Sequence, residues 1–188
     1  MIHTVANKIA NRFFDEKDTY PLEVYTYGIE LLISTLITTT LIVAVGIITE
    51  SFLECVIFQI SIFAIRVYTG GYHSMTYLRC TILSVMSYVL IHFSVVWAGH
   101  IFVNPFVMAS GYLVTMGCAL IFAPVRNPNK ELTAADCKLY KRMSLIMITL
   151  VYGICTLCLY AFSIKAATVI FPTCIVIDAA MLVSVNNK

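Results

Sequence analysis

Apolar residues fall in six runs along this chain: Leu31–Thr49, Phe52–Ile65, Thr81–Ala98, Ile101–Ala123, Ser144–Ile164 and Ala167–Val185. At about 1.5 Å of rise per residue, five of them come close to or exceed the roughly 30 Å hydrocarbon core of a bilayer. The second has only 14 residues and carries Glu54 and Gln59. It reaches about 21 Å as a helix, so it must borrow length from Tyr68 and Thr69 or thin the membrane. Either way, the segment after it begins at or inside the membrane interface. Ahead of the runs, Ile2, Val5, Ala6, Ile9, Ala10 and Phe13 recur at helical spacing, with Asn7, Lys8, Asn11 and Arg12 on other faces. That predicts an amphipathic helix too short and too polar to span. It either lies in the headgroup plane or packs on the bundle surface, and the sequence leaves both open. Asp15 to Asp18 break this pattern, and Pro21 starts a new element.

The expected fold class is therefore all-α: a polytopic membrane protein with about six transmembrane helices and an N-terminal interfacial amphipathic helix. Residues 1–188 form one membrane domain in this reading, with 1–28 as its amphipathic N-terminal segment. Composition agrees. Hydrophobic residues make up 60% and charged residues 12%, half of the roughly 25% that clothes a soluble domain. Six spans leave no length for a separate soluble domain. The formal net charge of +2 and the lack of a basic stripe argue against a nucleic-acid partner. No small-residue cleavage site follows the first apolar run, so the first span is expected to remain in the mature protein.

Charge sets the expected orientation. With the N-terminus inside, Lys8, Arg12, Lys17, Arg66, Arg79, Arg126, Lys130, Lys138, Lys141, Arg142 and Lys188 are all cytoplasmic, and only Lys165 is outside. An even number of spans with both termini inside gives this positive-inside bias. Thr49–Ser51, Gly99–His100 and the turn at Lys165 become short external connections. Residues 124–143, opened by Pro124 and Asn127-Pro128, become a long basic cytoplasmic loop. Glu54 and Asp178 are the acidic residues inside the runs. Asp178 is expected to pair with a hydroxyl or a basic group within the bundle, and Glu54 to reach water near the outer end of its span.

Seven cysteines occur, an odd number, mostly within apolar runs. They read as packing residues rather than a disulfide framework, the mid-span pair Cys155 and Cys158 included. Cys80 differs because of what surrounds it. Residues 66–80 run Arg66-Val-Tyr-Thr-Gly70-Gly71-Tyr-His73-Ser-Met-Thr-Tyr-Leu-Arg79-Cys80. The glycine pair permits a tight turn with positive φ. A His close to a Cys can take the thiol proton and leave a thiolate nucleophile. On one continuous helix, residues seven apart are separated by about 10.5 Å along the axis, far beyond a hydrogen bond of roughly 3 Å. His73 and Cys80 can cooperate only if the backbone leaves the helix and folds back. A Cys in the first turn of a helix also faces the positive end of the helix dipole, with Arg79 adjacent, and both favour a thiolate. One His and one Cys fall short of the four ligands zinc takes, so no metal or other cofactor is expected.

The order Arg66, Gly70-Gly71, His73 and Cys80 resembles the AgrB family (accessory gene regulator protein B) of bacterial membrane cysteine endopeptidases. Phe122-Ala123-Pro124-Val125 and the basic stretch Lys130–Arg142 also look like that family, as do the length, the six spans and the amphipathic start. The likeness covers nearly the whole chain. One departure is that adjacent lysines often open the family's basic loop. Here Asn127, Pro128 and Asn129 separate Arg126 from Lys130.

The resemblance implies a thiol protease of the bacterial cell membrane that cuts a precursor signal peptide on the cytoplasmic side, leading to a cyclic thiolactone or lactone used in quorum sensing. It implies Cys80 as nucleophile and His73 as its base, supported by Arg66, Gly70 and Gly71. It suggests Arg126, Lys130, Lys138, Lys141 and Arg142 as contacts for the precursor, membrane lipid as a partner, and a homodimer. Gln59, Ser74 and Asp178 are each candidates to orient His73. Two other readings stay open from the residues alone. One is a small transporter or channel, suggested by Pro105, Pro172, Glu54 and Asp178 in or near the membrane. The other is a non-catalytic membrane scaffold that binds a peptide.

Overall fold

The computed structural model describes residues 2–13, 21–70, 77–125 and 133–186. Those residues form helices and short connections: α1 (Ile2–Phe13), α2 (Leu22–Ile48), α3 (Phe52–Thr69), α4 (Tyr77–Phe102), α5 (Pro105–Phe122), α6 (Ala134–Ala161), a 3-10 turn (Lys165–Val169) and α7 (Ile170–Asn186). Six helical segments are long and apolar enough to cross a membrane, the last combining the 3-10 turn with α7. The protein is all-α, with six candidate transmembrane helices, as the pattern predicts. In lipid a helix satisfies each backbone polar group within its own segment, so apolar runs of this length have little alternative.

The helix ends differ from the apolar runs, and local chemistry accounts for each. The second run is extended from Ile65 to Thr69, giving α3 18 residues and about 27 Å. The borrowed length is therefore helical. α2 begins at Leu22, after Pro21 with ψ 145°, nine residues before the first run. Its polar first turns, Glu23 to Glu30, stay helical because they pack against α1. α5 starts at Pro105 rather than Ile101, because Asn104 caps the Phe106 N–H and Pro105 occupies the first helical position, where a missing N–H is harmless. Gly99 and His100, expected in an external loop, lie in α4, and the turn falls at Val103 and Asn104. α6 starts at Ala134, well before Ser144. A capping box closes its N-terminus: the Thr133 hydroxyl accepts from the Asp136 N–H, and the Asp136 carboxylate accepts from the Thr133 N–H. The expected loop over 124–143 is thus partly helix. Lys138, Lys141 and Arg142 ride on the first turns of α6.

α1 lies against α2. Ala6 and Ala10, one turn apart, are fully buried there. Val5, Ile9 and Phe13 fall on another face and remain exposed. The two readings of the amphipathic segment merge: one face packs on the bundle while an apolar face stays open.

α7 is the central helix. More than half of its span is buried, against 17–28% for the other five. Three apolar clusters share it. Ile177 and Met181 pack with Ile65, Ala119, Ala123, Val125 and Ile148. Ile170 and Cys174 pack with Met108, Tyr152, Cys155 and Leu159. Val176 joins Ile42, Cys55, Phe58, Tyr88 and Ile91. The burial of Cys55, Cys155 and Cys174 as free thiols fits their reading as packing residues. Small residues set helix spacing: a Cβ on Gly46 of α2 would stand 2.7 Å from Cys55 Cβ of α3.

Several polar side chains inside the bundle find partners, while Gln59 Nε2 and Asp178 Oδ1 are buried without one among the described residues. The Thr115 hydroxyl donates to Asp178 at 2.9 Å, as a hydroxyl-paired intramembrane acid should be held. Glu54 pairs with His92 Nδ1 at 2.9 Å rather than standing in water. Ser51 and Tyr88 share a hydroxyl–hydroxyl bond of 2.7 Å near the same end.

Candidate active site

Arg66 to Thr69 form the last turn of α3, and the helix stops at Gly70. Gly70 has φ 71° and ψ −157°, a backbone conformation essentially restricted to glycine. The stop is braced from α5. Past its C-terminus, the Val125 N–H donates to the Thr69 carbonyl at 2.9 Å, and a Cβ on Gly70 would lie 2.7 Å from the Val125 carbonyl oxygen. Ala123 and Val125 are themselves buried beside Ile65. The Phe122-Ala123-Pro124-Val125 stretch, a weak signal by itself, thus has a physical task. It seats the helix terminus four residues after Arg66.

α4 is described from Tyr77, and Cys80 is its fourth residue, half-buried. The stretch from Arg66 past Cys80 is therefore not one continuous helix, which the motif requires if its members are to work together. The half-buried Arg66 guanidinium lies within electrostatic reach of the Cys80 sulfur. Next to Cys80, Thr81 is buried and shares a hydroxyl–hydroxyl bond of 2.9 Å with Thr38 of α2. Arg79 is exposed. The Tyr68 and Tyr140 rings meet with centroids 6.1 Å apart, so the start of α6, with Lys138, Lys141 and Arg142, sits beside the last turn of α3. His73 and Gly71 lie outside the described residues, as do Ser74, Arg126 and Lys130. Among the described residues, no three His, Cys, Asp or Glu side chains gather as a metal ion would need. Asp178 and Gln59 belong to the interior: Asp178 is held by Thr115 of α5, about two turns from the end of α7.

Three polar residues of this end escape a reading by apolar runs. Glu30 of α2 is buried, and both its carboxylate oxygens are engaged, Oε1 by His3 Nδ1 of α1 and Oε2 by the Tyr77 hydroxyl of α4. A first run beginning at Leu31 leaves Glu30 just outside the span, so it does not stand out as an intramembrane acid. The available signal was helical spacing upstream: Thr26 and Glu30 are one turn apart and lie on one face with Ser34 and Thr38, and the single Gly28 between the first two is tolerated within a helix.

The helical bundle, with six candidate membrane spans and a half-buried cysteine within electrostatic reach of an arginine, defines a class: polytopic membrane proteins. Over residues 2–184 the chain matches the accessory gene regulator B family, and it belongs to that family. It is 28% identical over 161 residues to an AgrB-like protein of Clostridium perfringens strain 13, covering 80% of this chain and 73% of that one. An AgrB-like protein of strain SM101 of the same species matches with the same identity and coverage. No solved structure matches. Family membership places the protein in the processing of the accessory gene regulator quorum-sensing peptide, in a membrane.

Proposed function

We propose that the protein is a membrane cysteine endopeptidase that removes the C-terminal tail of the precursor peptide through an acyl-thioester on Cys80. The observation that supports this reading is the break at Gly70: α3 ends there, and Cys80 of α4 lies within electrostatic reach of Arg66 in its last turn. In the proposed reaction His73 takes the Cys80 proton and the sulfur attacks a backbone carbonyl carbon of the precursor. The C–N bond breaks, and the proton passes from His73 to the leaving amine of the tail. The N-terminal part of the precursor remains as a thioester. A thiol or hydroxyl within it, giving its proton to His73, then attacks the same carbonyl carbon; the C–S bond to Cys80 breaks, the thiolactone or lactone closes, and the Cys80 thiolate takes the proton back from His73. Water would compete at this second step, so a half-buried cysteine at a membrane interface suits it.

The basic end of the bundle carries Lys8, Arg12, Arg66, Arg79, Lys138, Lys141 and Arg142, and the opposite end Lys165. This asymmetry supports cytoplasmic termini and a cytoplasmic site. The exposed Val5 and Phe13 of α1 support contact with lipid at that surface.

Mass spectrometry of the chain incubated with its precursor checks the covalent step. A peptide containing Cys80 should carry the acyl mass of the precursor lacking its tail, and an adduct confined to another cysteine would contradict the proposal. Arg66 has its own test. Within electrostatic reach of Cys80, it would hold the developing oxyanion or the acidic tail of the precursor. Arg66→Glu should lower cleavage about a hundredfold, the scale expected for loss of a transition-state charge partner. Cleavage at the original rate would remove Arg66 from the site.

A further inference from the structure

We infer that Glu30 is a positioning residue for Cys80, clamping the start of α4 to α2 and to the N-terminal helix. This rests on the proposed role of Cys80 as nucleophile. A carboxylate that is nearly excluded from solvent persists when its oxygens are hydrogen-bonded, and Glu30 is 7% exposed with both oxygens taken. One partner, Tyr77, is the first residue of α4. The Tyr77 hydroxyl, donating to Glu30 Oε2, fixes that first residue from outside. Cys80 lies three residues on, on the same face of the helix. Thr81, the next residue, is held by Thr38, also of α2. Cys80 is thus bracketed by two side-chain bonds to a single neighbouring helix. Thr26, one turn before Glu30, is also buried, its hydroxyl donating to the Leu22 carbonyl.

The second partner extends the clamp to α1. His3 Nδ1 bonds Glu30 Oε1 beside the buried Ala6 and Ala10 contacts. The His3 side chain is largely exposed at the rim of a cleft of about 500 Å³ between α1 and α2. Asn7, Glu23, Thr26 and Tyr27 also line this cleft. One carboxylate therefore joins the amphipathic helix, the first span and the helix that bears the nucleophile. Misplacing a reacting group by about 1 Å can lower a rate on the order of a hundredfold. A clamp on the first residue of α4 controls displacement of that size at Cys80.

Hydrogen exchange in the full chain, reconstituted in phospholipid nanodiscs, reads the clamp directly. Tyr77→Phe removes one oxygen and little else. It should speed exchange in peptides covering Tyr77–Leu83 about tenfold, while peptides from the start of α6 stay unchanged. Glu30→Ala should do the same, and the double variant should add nothing. Glu30→Gln keeps an acceptor for Tyr77 and should retain most of the protection. Steady-state cleavage of the synthetic precursor should fall about tenfold or more in kcat for Tyr77→Phe, with KM nearly unchanged. Unchanged exchange over Tyr77–Leu83, or faster exchange spread equally over α6, overturns the inference. A fall in KM affinity alone would also overturn it. The exchange arm is independent of the peptidase reading: if Cys80→Ala still cleaves while the clamp variants loosen α4, the assignment of Cys80 as nucleophile fails and the clamp stands. If Cys80→Ala is inactive and exchange does not move, only the clamp fails.

Discussion

Replacing Cys80 with Ala abolishes precursor cleavage while leaving the chain in the membrane. The expected loss is on the order of a thousandfold or more, because the side chain removed is the atom that forms the acyl bond. Insertion should survive. Cys80 is half-buried in the fourth position of α4 and takes no part in the three apolar clusters around α7. Controls follow from burial. Cys55, Cys155 and Cys174 are enclosed in those clusters, at 0%, 7% and 1% exposure, where no precursor can reach them. Cys155→Ala should cleave at nearly the original rate once folded, and so should Cys137→Ala on the first turn of α6. Cleavage by detergent-solubilised Cys80→Ala, scored by mass spectrometry of the released tail, would defeat the peptidase proposal.

The second large effect belongs to a residue with no reactive group. Gly70→Ala should reduce cleavage on the order of a hundredfold and lower the thermal midpoint of the protein in detergent. Two penalties act together. At φ 71° and ψ −157°, a side chain brings about 1–3 kcal/mol of backbone strain. The new Cβ would also stand 2.7 Å from the Val125 carbonyl oxygen. That oxygen cannot simply move, because the same residue's N–H is bonded to the Thr69 carbonyl at 2.9 Å and its side chain is buried beside Ile65. Relief must shift either the end of α3, four residues from Arg66, or the segment after α5. Gly70→Asn should not rescue. Asn tolerates left-handed helical backbone, where ψ is near +47°, and ψ here is far from that value. Gly117→Ala is the matched control. It lies within α5 with nothing within 4 Å of a new Cβ, so it should be neutral or slightly stabilising. Equal cleavage and equal thermal midpoints for Gly70→Ala and Gly117→Ala would show that the break at Gly70 does not shape the site.

The helix break beside the candidate site was legible because a few residue types have narrow uses. Gly70 signalled that α3 could end there, and the helix arithmetic made that ending a requirement for any joint action of His73 and Cys80. Arg66 stood out as a charge at the end of a short span, and it lies within electrostatic reach of Cys80. What stayed hidden concerns partners. Val125 reads as one more apolar residue, yet it seats Gly70 through its backbone, and backbone donors leave no mark in a pattern of side chains. Glu30 lay one residue outside the first apolar run, and Tyr77 is one of 11 tyrosines. The basic residues of α6 read as loop because lysine and arginine end an apolar run. The helix continues under them because its capping box at Thr133 and Asp136 supplies the hydrogen bonds that the first turn lacks.

By itself the sequence determined the fold class, the number of candidate spans and the end of the bundle where its basic residues gather. A bilayer accepts few conformations, and a chain of alternating apolar runs and short polar breaks has one simple way to satisfy its backbone in lipid. Only the tertiary structure decided which polar groups meet. The bonds of Glu30 to His3 and Tyr77 join residues 27 and 47 positions apart. Periodicity tells which face of a helix is buried, but not which neighbour lies against it or at what height. Those choices come from how α7 fills the centre and how closely α2, α3 and α4 approach around it, and they set the place of Cys80.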